Sequence, residues 1–152
     1  MDSFTYIIRS TSRDLPSASN TCQCNIRLGG LPSSNKLFLC EVVDFFVGTN
    51  SGADFNGRFV IDLRADGLDI CNGYDTRFRS LKSIAWTNVN ATFPQSTYTF
   101  ISNNFNGKTI SFSLYNERDE ILTTNGVTPF NKEWILILKM TPIDNPKNEY
   151  YV

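Results

Sequence analysis

The longest apolar run of the chain extends from Glu133 to Pro142, and its pattern predicts a β-strand. Its β-branched and aromatic residues, closed by a proline, favour an extended strand over a helix. Because alternate side chains of a strand point to opposite faces, one face would carry Trp134, Leu136, Leu138 and Met140, and the other Ile135, Ile137, Lys139 and Thr141. Both faces begin with apolar residues. We therefore expect a central strand whose second face is also covered. The sequence leaves open which of the two faces is the inward one.

Turn dipeptides of the Asn-Gly or Asp-Gly type occur at five places and separate short segments of β-forming residues. No segment has a convincing helical period of useful length. The sequence therefore predicts an all-β sandwich or barrel. Its eight predicted strands are Phe4 to Ser10, Thr21 to Leu28, Lys36 to Val47, Arg58 to Leu63, Ser80 to Thr87, Ser96 to Ser102, Lys108 to Tyr115 and Glu133 to Pro142. The fourth strand could continue as a hairpin through Asp66-Gly67.

The predicted strands fall into two kinds. The second, fourth and seventh alternate cleanly between apolar and polar residues, which is typical of a sheet with one face in water. The first, third and eighth are apolar on both faces, and the sixth is partly so. In the third strand, simple alternation places Leu37, Leu39, Val43 and Phe45 opposite Phe38, Cys40, Val42 and Phe46.

This division nearly matches an eight-stranded jelly roll, where strands one, eight, three and six form one sheet and two, seven, four and five the other. The fifth strand is ambiguous. We therefore predict an antiparallel single jelly-roll sandwich over residues 1–152, with residues 144–152 as a C-terminal tail.

The outer face of the predicted one-eight-three-six sheet would expose Ile and Phe side chains if the protein were alone. An apolar patch of that size usually marks a partner surface, although the N-terminal loop or the tail could also cover it. The candidates for subunit contact on the closing strand are Ile135 and Ile137. A second candidate is the loop holding Tyr74, Arg77 and Phe78, since these residue types are favoured at interfaces. The alternative is a loop tucked against its own sheet.

Composition narrows the function classes. The chain of 152 residues has a net charge of −1 and no basic run, so we expect no direct contact with nucleic acid. No apolar stretch is long enough for a membrane span, and the N-terminus lacks a secretion signal. We therefore expect an intracellular, reducing setting. Histidine is absent, which excludes His-dependent catalytic triads and dyads and argues against an enzyme.

The remaining chemical candidates are weak. Two thiols on one strand, at Cys22 and Cys24, could form a zinc site with Cys40 and Cys71, but the spacing is unusual and buried free thiols are favoured. The carboxylates, among them Asp62, show no pairing of the glycosidase type, and a solvated surface is the better interpretation. We predict no catalytic, cofactor or metal site. The alternative function is a carbohydrate-binding β-sandwich module, in which Trp86 and Tyr74 would stack on sugars.

Several short segments occur in a characteristic order along the chain. They are Phe4 to Ser10, Cys40 to Phe45, Tyr74 to Thr76, Asn104 to Lys108, Ile121 to Thr124, Trp134 to Leu138 and Thr141 to Ile143. Together they resemble the single jelly-roll capsid proteins, penton and minor capsid proteins, of large double-stranded DNA viruses and their virophages. The resemblance implies a structural protein of the virion, assembled inside the host cell. A penton of this kind would form a homopentamer at the vertex and contact neighbouring major or minor capsid proteins. The resemblance carries over no catalytic residues.

Overall fold

The structure is a computed structural model that describes residues 3–13, 22–34, 37–48, 60–68, 80–86, 91–92, 98–124, 128–129 and 133–143. These residues form eleven strands and one short 3-10 helix, Ser10–Ser12. The strands are β1 (Phe4–Arg9), β2 (Gln23–Arg27), β3 (Leu37–Val47), β4 (Val60–Asp66), β5 (Ser80–Trp86), β6 (Ala91–Thr92), β7 (Tyr98–Asn103), β8 (Thr109–Tyr115), β9 (Thr123–Thr124), β10 (Thr128–Pro129) and β11 (Trp134–Ile143). Among the described residues, no helix is long and apolar enough to cross a membrane.

Two antiparallel sheets carry the fold. The first sheet has the order β1-β11-β3-β7 and the second sheet has the order β2-β8-β4-β5-β6. A separate two-stranded ribbon pairs β9 with β10. The predicted all-β, sandwich-like architecture is confirmed. The strands predicted to be apolar on both faces do share one sheet, and the cleanly alternating strands share the other.

The strand count differs from the predicted eight, since β6, β9 and β10 are additional. β9 lies within Ile121 to Thr124, for which the sequence predicts a short extended segment. β6 and β10 are two residues long, and so short a segment carries no alternation that could reveal it. The observed strand β4 ends at Asp66, beyond the predicted end at Leu63, and Gly67 follows with a φ of 102°. Most of the hairpin predicted beyond this turn lies outside the described residues.

The closing strand β11 is central, as its two apolar faces predict. It pairs with β1 from Phe4↔Met140 to Arg9↔Ile135 and, on its other side, with β3. Its inward face carries Trp134, Leu136, Leu138 and Met140, none of them more than 1% exposed. These residues pack against the second sheet, which decides the orientation that the sequence left open.

The contact between the sheets centres on Trp134. Its ring lies 5.3 Å from the ring of Phe112 on β8 and 6.1 Å from the ring of Phe45 on β3, measured between centroids. Burying a large apolar side chain stabilises the folded state by about 1.5–3 kcal/mol. The aromatic cluster therefore contributes strongly to holding the two sheets face to face.

A β-bulge in β3 overturns part of the predicted alternation. Ile137 pairs with Asp44, whereas the next residue of β11 pairs with Val42, so Val43 is the extra residue. The bulge shifts the alternation by one position. Phe45 is therefore fully buried and Phe46 faces outward, the reverse of the faces that an unbroken strand predicts.

The turn between β7 and β8 is joined to the loop after β2 by side-chain hydrogen bonds to the backbone. The amide of Asn106 accepts from the backbone N–H of Leu31 at 2.9 Å and donates to the carbonyl oxygen of the same residue at 2.6 Å. Asn104 donates to the carbonyl oxygen of Pro32 at 3.0 Å. These bonds join two connections between the sheets at one end of the fold.

Three of the four cysteines lie in the described part of the chain, and all three are buried free thiols: Cys22, Cys24 and Cys40. This confirms the interpretation of these residues as small apolar side chains. Burial raises the pKa of Cys24 and of Cys40 to about 12, because the thiolate would lose its hydration. Cys71 lies outside the described residues.

Candidate functional site

The outward surface of the first sheet is apolar over much of its extent. We call it the outer face and define it by the outward-pointing apolar residues Ile7, Leu39, Val43, Phe46, Ile101, Ile135 and Ile137. Four of these are large exposed hydrophobics, with exposed fractions of 48% for Ile7, 39% for Leu39, 52% for Val43 and 46% for Phe46. Large apolar side chains in contiguous exposed groups usually mark an interaction site.

Strand register brings most of these residues into one cluster. Ile7 pairs with Ile137, and Ile135 pairs with Phe46 on the next strand. Directly paired residues have Cβ atoms about 4.5–5.5 Å apart. The bulge adds Val43 beside this group, because it turns an extra side chain outward. The outer face therefore contains a contiguous apolar cluster across three strands.

A polar row separates this cluster from Leu39 and Ile101. The row runs across the whole first sheet as Thr5, Lys139, Glu41 and Thr99 in register. Charges on the outer face are also segregated by strand. The basic residues Arg9 and Lys139 lie on β1 and β11, whereas the acidic residues Glu41 and Asp44 lie on β3. The apolar cluster thus has a basic side and an acidic side.

The outward surface of the second sheet is polar by contrast. On β2 and β8 it carries Gln23, Asn25, Arg27, Thr109, Ser111 and Ser113. Ser111 donates a hydrogen bond to Asn25 at 2.7 Å. The two sheets therefore present chemically different surfaces, one polar and the other largely apolar.

The predicted contact residues Ile135 and Ile137 do lie on the outer face, on its central strand. Both are half-buried, because residues of β1 and β3 flank them on either side. The other predicted contacts, Tyr74, Arg77 and Phe78, lie outside the described residues. Of the two residues predicted to stack on sugars, Tyr74 also lies outside the described residues, and for Trp86 only the backbone is described.

Sequence reasoning missed three members of the cluster: Ile7, Val43 and Phe46. The two-sided apolar pattern of the first and third predicted strands was a usable signal for Ile7 and Val43. Phe46 was not predictable from alternation, because the bulge that turns it outward depends on the pairing of β3 with β11 and has no signal in the local sequence.

A charged cluster on the second sheet corrects the interpretation of Asp62 as a solvated carboxylate. Asp62 is only 9% exposed and accepts hydrogen bonds from Arg64 Nε at 2.8 Å and from Ser80 Oγ. Arg64 also donates to Asp119, and its guanidinium lies 4.0 Å from the ring centroid of Tyr115. Burial lowers the pKa of Arg64, but Asp62 and Asp119 outweigh that effect and raise it. Asp62 is thus engaged in structural bonds.

Within the described residues, no group of three or more His, Cys, Asp or Glu side chains could hold a metal ion. Its first sheet presents an apolar outer face with charged borders. No protein-family model matches the chain, and no curated protein matches it.

Proposed function

We propose that the protein is a structural capsid component, a penton at the particle vertex, with a minor capsid protein as the alternative. It would act through contacts between its own copies and with neighbouring major or minor capsid proteins. The observation that carries this proposal is the outer face, with its contiguous cluster of exposed apolar side chains.

Physical chemistry supports a partner on this face. Apolar surface in contact with water is unfavourable. Covering it with a partner contributes a favourable free energy of roughly 25 cal/mol for each Å² of apolar surface removed from water. The second sheet shows how this chain builds a surface for water, with serine, asparagine and glutamine at the outward positions. The difference between the two sheets favours a protein whose first sheet packs against neighbours.

The strand orders β1-β11-β3-β7 and β2-β8-β4-β5 support a single jelly-roll fold. That fold agrees with the capsid resemblance of the opening segment Phe4 to Ser10 and the closing segment Trp134 to Leu138. A ring of five copies requires a heterologous interface, in which two different patches of each subunit meet. The protein would be assembled inside the host cell and retained in the virion.

An aspartate at position 137 tests the role of the outer face. Ile137→Asp places a charge in the apolar cluster at a half-buried position of the outer face, so we expect it to impair assembly more than folding. Lys139→Asp is the matched control, because it introduces the same side chain two residues along the same face, in the polar row. Thermal melts and incorporation into particles are the two measurements. Equal loss of folding and assembly in Ile137→Asp would show that this face is ordinary core.

Copy number tests the capsid assignment directly. A vertex protein is present at a low and fixed ratio to the major capsid protein, which quantitative mass spectrometry of purified particles measures. Native mass measurement of the isolated protein gives its oligomeric state. A strictly monomeric protein that enters no assembly would refute the proposal.

A further inference from the structure

β1 is the edge strand of the first sheet, and little in its sequence blocks a further strand from pairing with it. It pairs with β11 on one side, and no strand of the described residues pairs with it on the other. Exposed edge strands are commonly protected by lysine, proline or a β-bulge. Phe4–Arg9 contains neither residue type, its only charge is at Arg9, and its register with β11 has no shift. The open edge of β1 is therefore suited to pairing with another chain.

The hydrogen bond between Trp134 and Ser10 shows which backbone groups of β1 face the open edge. The N–H of Trp134 points toward β1 and donates to Ser10 Oγ at 2.9 Å, one position beyond the register pair Arg9↔Ile135. Along an antiparallel strand, the positions that bond to a given neighbour alternate with those that do not. Counting back from Ser10, the residues that turn their N–H and C=O groups away from β11 are Thr5, Ile7 and Arg9. These groups have no backbone partner among the described residues.

There is open space beside this edge. A cavity of about 210 Å³ lies between β1 and β2, the edge strand of the second sheet, and is lined by residues 6–9, Ser12 and residues 26–28. Ile7, in the middle of β1, is 48% exposed. Both observations indicate that a second chain can approach Ile7 from the side of the sheet.

We infer that β1 pairs antiparallel with β1 of a second copy, about a twofold axis at Ile7. Residues opposite each other in a sheet have side chains on the same face, so Thr5, Ile7 and Arg9 meet the same three residues of the second copy. A register centred on Ile7 sets Ile7 against Ile7 and Thr5 against Arg9, and it pairs all the open backbone groups. Registers centred on Thr5 or Arg9 leave some of these groups unpaired. A register centred on Arg9 also sets two guanidinium groups against each other, which is destabilising.

The pairing joins the first sheets of two copies into one continuous sheet. Because the twofold axis is perpendicular to the sheet, both outer faces lie on the same side. Ile7 is in register with Ile137, so the apolar cluster of one copy continues into that of the other through Ile7. Burial of these side chains at the junction adds to the main-chain hydrogen bonds. The inference goes beyond the proposed capsid function, since a twofold pair is a contact distinct from the heterologous contact of a ring of five.

Ile7→Cys tests the position of the axis. Opposed residues of paired strands have Cβ atoms about 4.5–5.5 Å apart, which a short thiol cross-linker spans, so we expect a covalent dimer. Val43→Cys is the matched control, because Val43 is 52% exposed on the same outer face but lies two strands from the axis. We expect no cross-link from it. The unmodified protein, treated in the same way, accounts for the native thiols.

Ile7→Pro tests the main-chain hydrogen bonds. Proline has no N–H, so each copy loses its donor at the axis and the pair loses both hydrogen bonds between the two residues. We expect sedimentation velocity to show self-association weaker by about tenfold or more. Arg27→Pro is the matched control on β2. Its N–H also points away from its sheet, since the next residue, Leu28, donates to the carbonyl oxygen of Lys108 just before β8 at 2.8 Å. We expect this control to leave self-association unchanged.

Circular dichroism reports whether each variant folds, and the cross-link of Ile7→Cys decides the matter if the proline variant does not. Cross-linking of Val43→Cys as readily as of Ile7→Cys would overturn the inference, since outer faces and not edges would then meet. So would a folded Ile7→Pro variant that associates as strongly as the wild type. A wild-type monomer that still enters particles would overturn the pairing of β1 and leave the capsid proposal in place, whereas a monomer that enters no assembly would refute both.

Discussion

Ile7 and Ile8 are identical side chains at consecutive positions of β1, and they test directly which face of the first sheet is core. Ile7 is 48% exposed on the outer face, whereas Ile8 is 3% exposed in the core. Substitution by alanine deletes the same atoms at both positions. Any difference in the free energy of unfolding between the two variants therefore reports the environment and not the chemistry of the change.

The expected magnitudes follow from burial. A buried carbon stabilises by about 0.8 kcal/mol, so deleting three from Ile8 removes about 2.4 kcal/mol. The cavity left behind increases the loss, which places Ile8→Ala at about 2–5 kcal/mol. At Ile7 roughly half of that area is already in water and solvent fills the space, so we expect Ile7→Ala to cost about 1 kcal/mol.

Urea unfolding monitored by tryptophan fluorescence measures both values, since Trp134 lies in the aromatic cluster of the core. The experiment is run at two protein concentrations, because self-association would raise the apparent stability. We expect Ile7→Ala to reduce the dependence on concentration and Ile8→Ala to reduce stability at both concentrations. Equal losses of stability at low concentration would refute the assignment of the outer face, since Ile7 would then be covered by its own chain.

Three further predictions concern the buried thiols, the turn at Asn106 and the charged cluster. Burial raises the pKa of Cys24 and of Cys40 from 9.0 to about 12 in the folded state, so the thiols ionise first in the unfolded chain and stability falls as pH rises from about 9 toward 12. In Cys40→Val we expect the urea midpoint to fall less steeply with pH than in the wild type. The same pH dependence in both proteins would contradict this. Asn106→Ala removes two hydrogen bonds to the backbone of the facing loop. We expect it to lower the free energy of unfolding in urea by about 1–3 kcal/mol. A smaller decrease would show that water replaces these bonds. Arg64→Met leaves the carboxylate of Asp62 at 9% exposure without its guanidinium, so it should lower stability by about 1–3 kcal/mol at neutral pH, and the further change Asp62→Asn should recover part of the loss.

The sheet partition was predictable because it depends on local geometry. Side chains of a strand alternate with a period of two, so the residue pattern of β1, β3 and β11 reveals that both faces meet apolar surroundings. The cleanly alternating residues of β2, β4 and β8 reveal one wet face in the same way. From these patterns alone follow the all-β architecture, the central position of the closing strand and the presence of an apolar outer face.

The tertiary structure decided what depends on pairing and packing. The inward direction of Trp134 follows from its contact with Phe112 of the other sheet, and the exchange of Phe45 and Phe46 between faces follows from the bulge opposite Ile137. The burial of Asp62 follows from Arg64 and from Ser80, which is distant in sequence. Each of these outcomes depends at least in part on a neighbouring strand, and alternation along one strand carries no information about its neighbours. The sequence thus determined that an apolar outer face exists, and the tertiary structure determined which side chains form it.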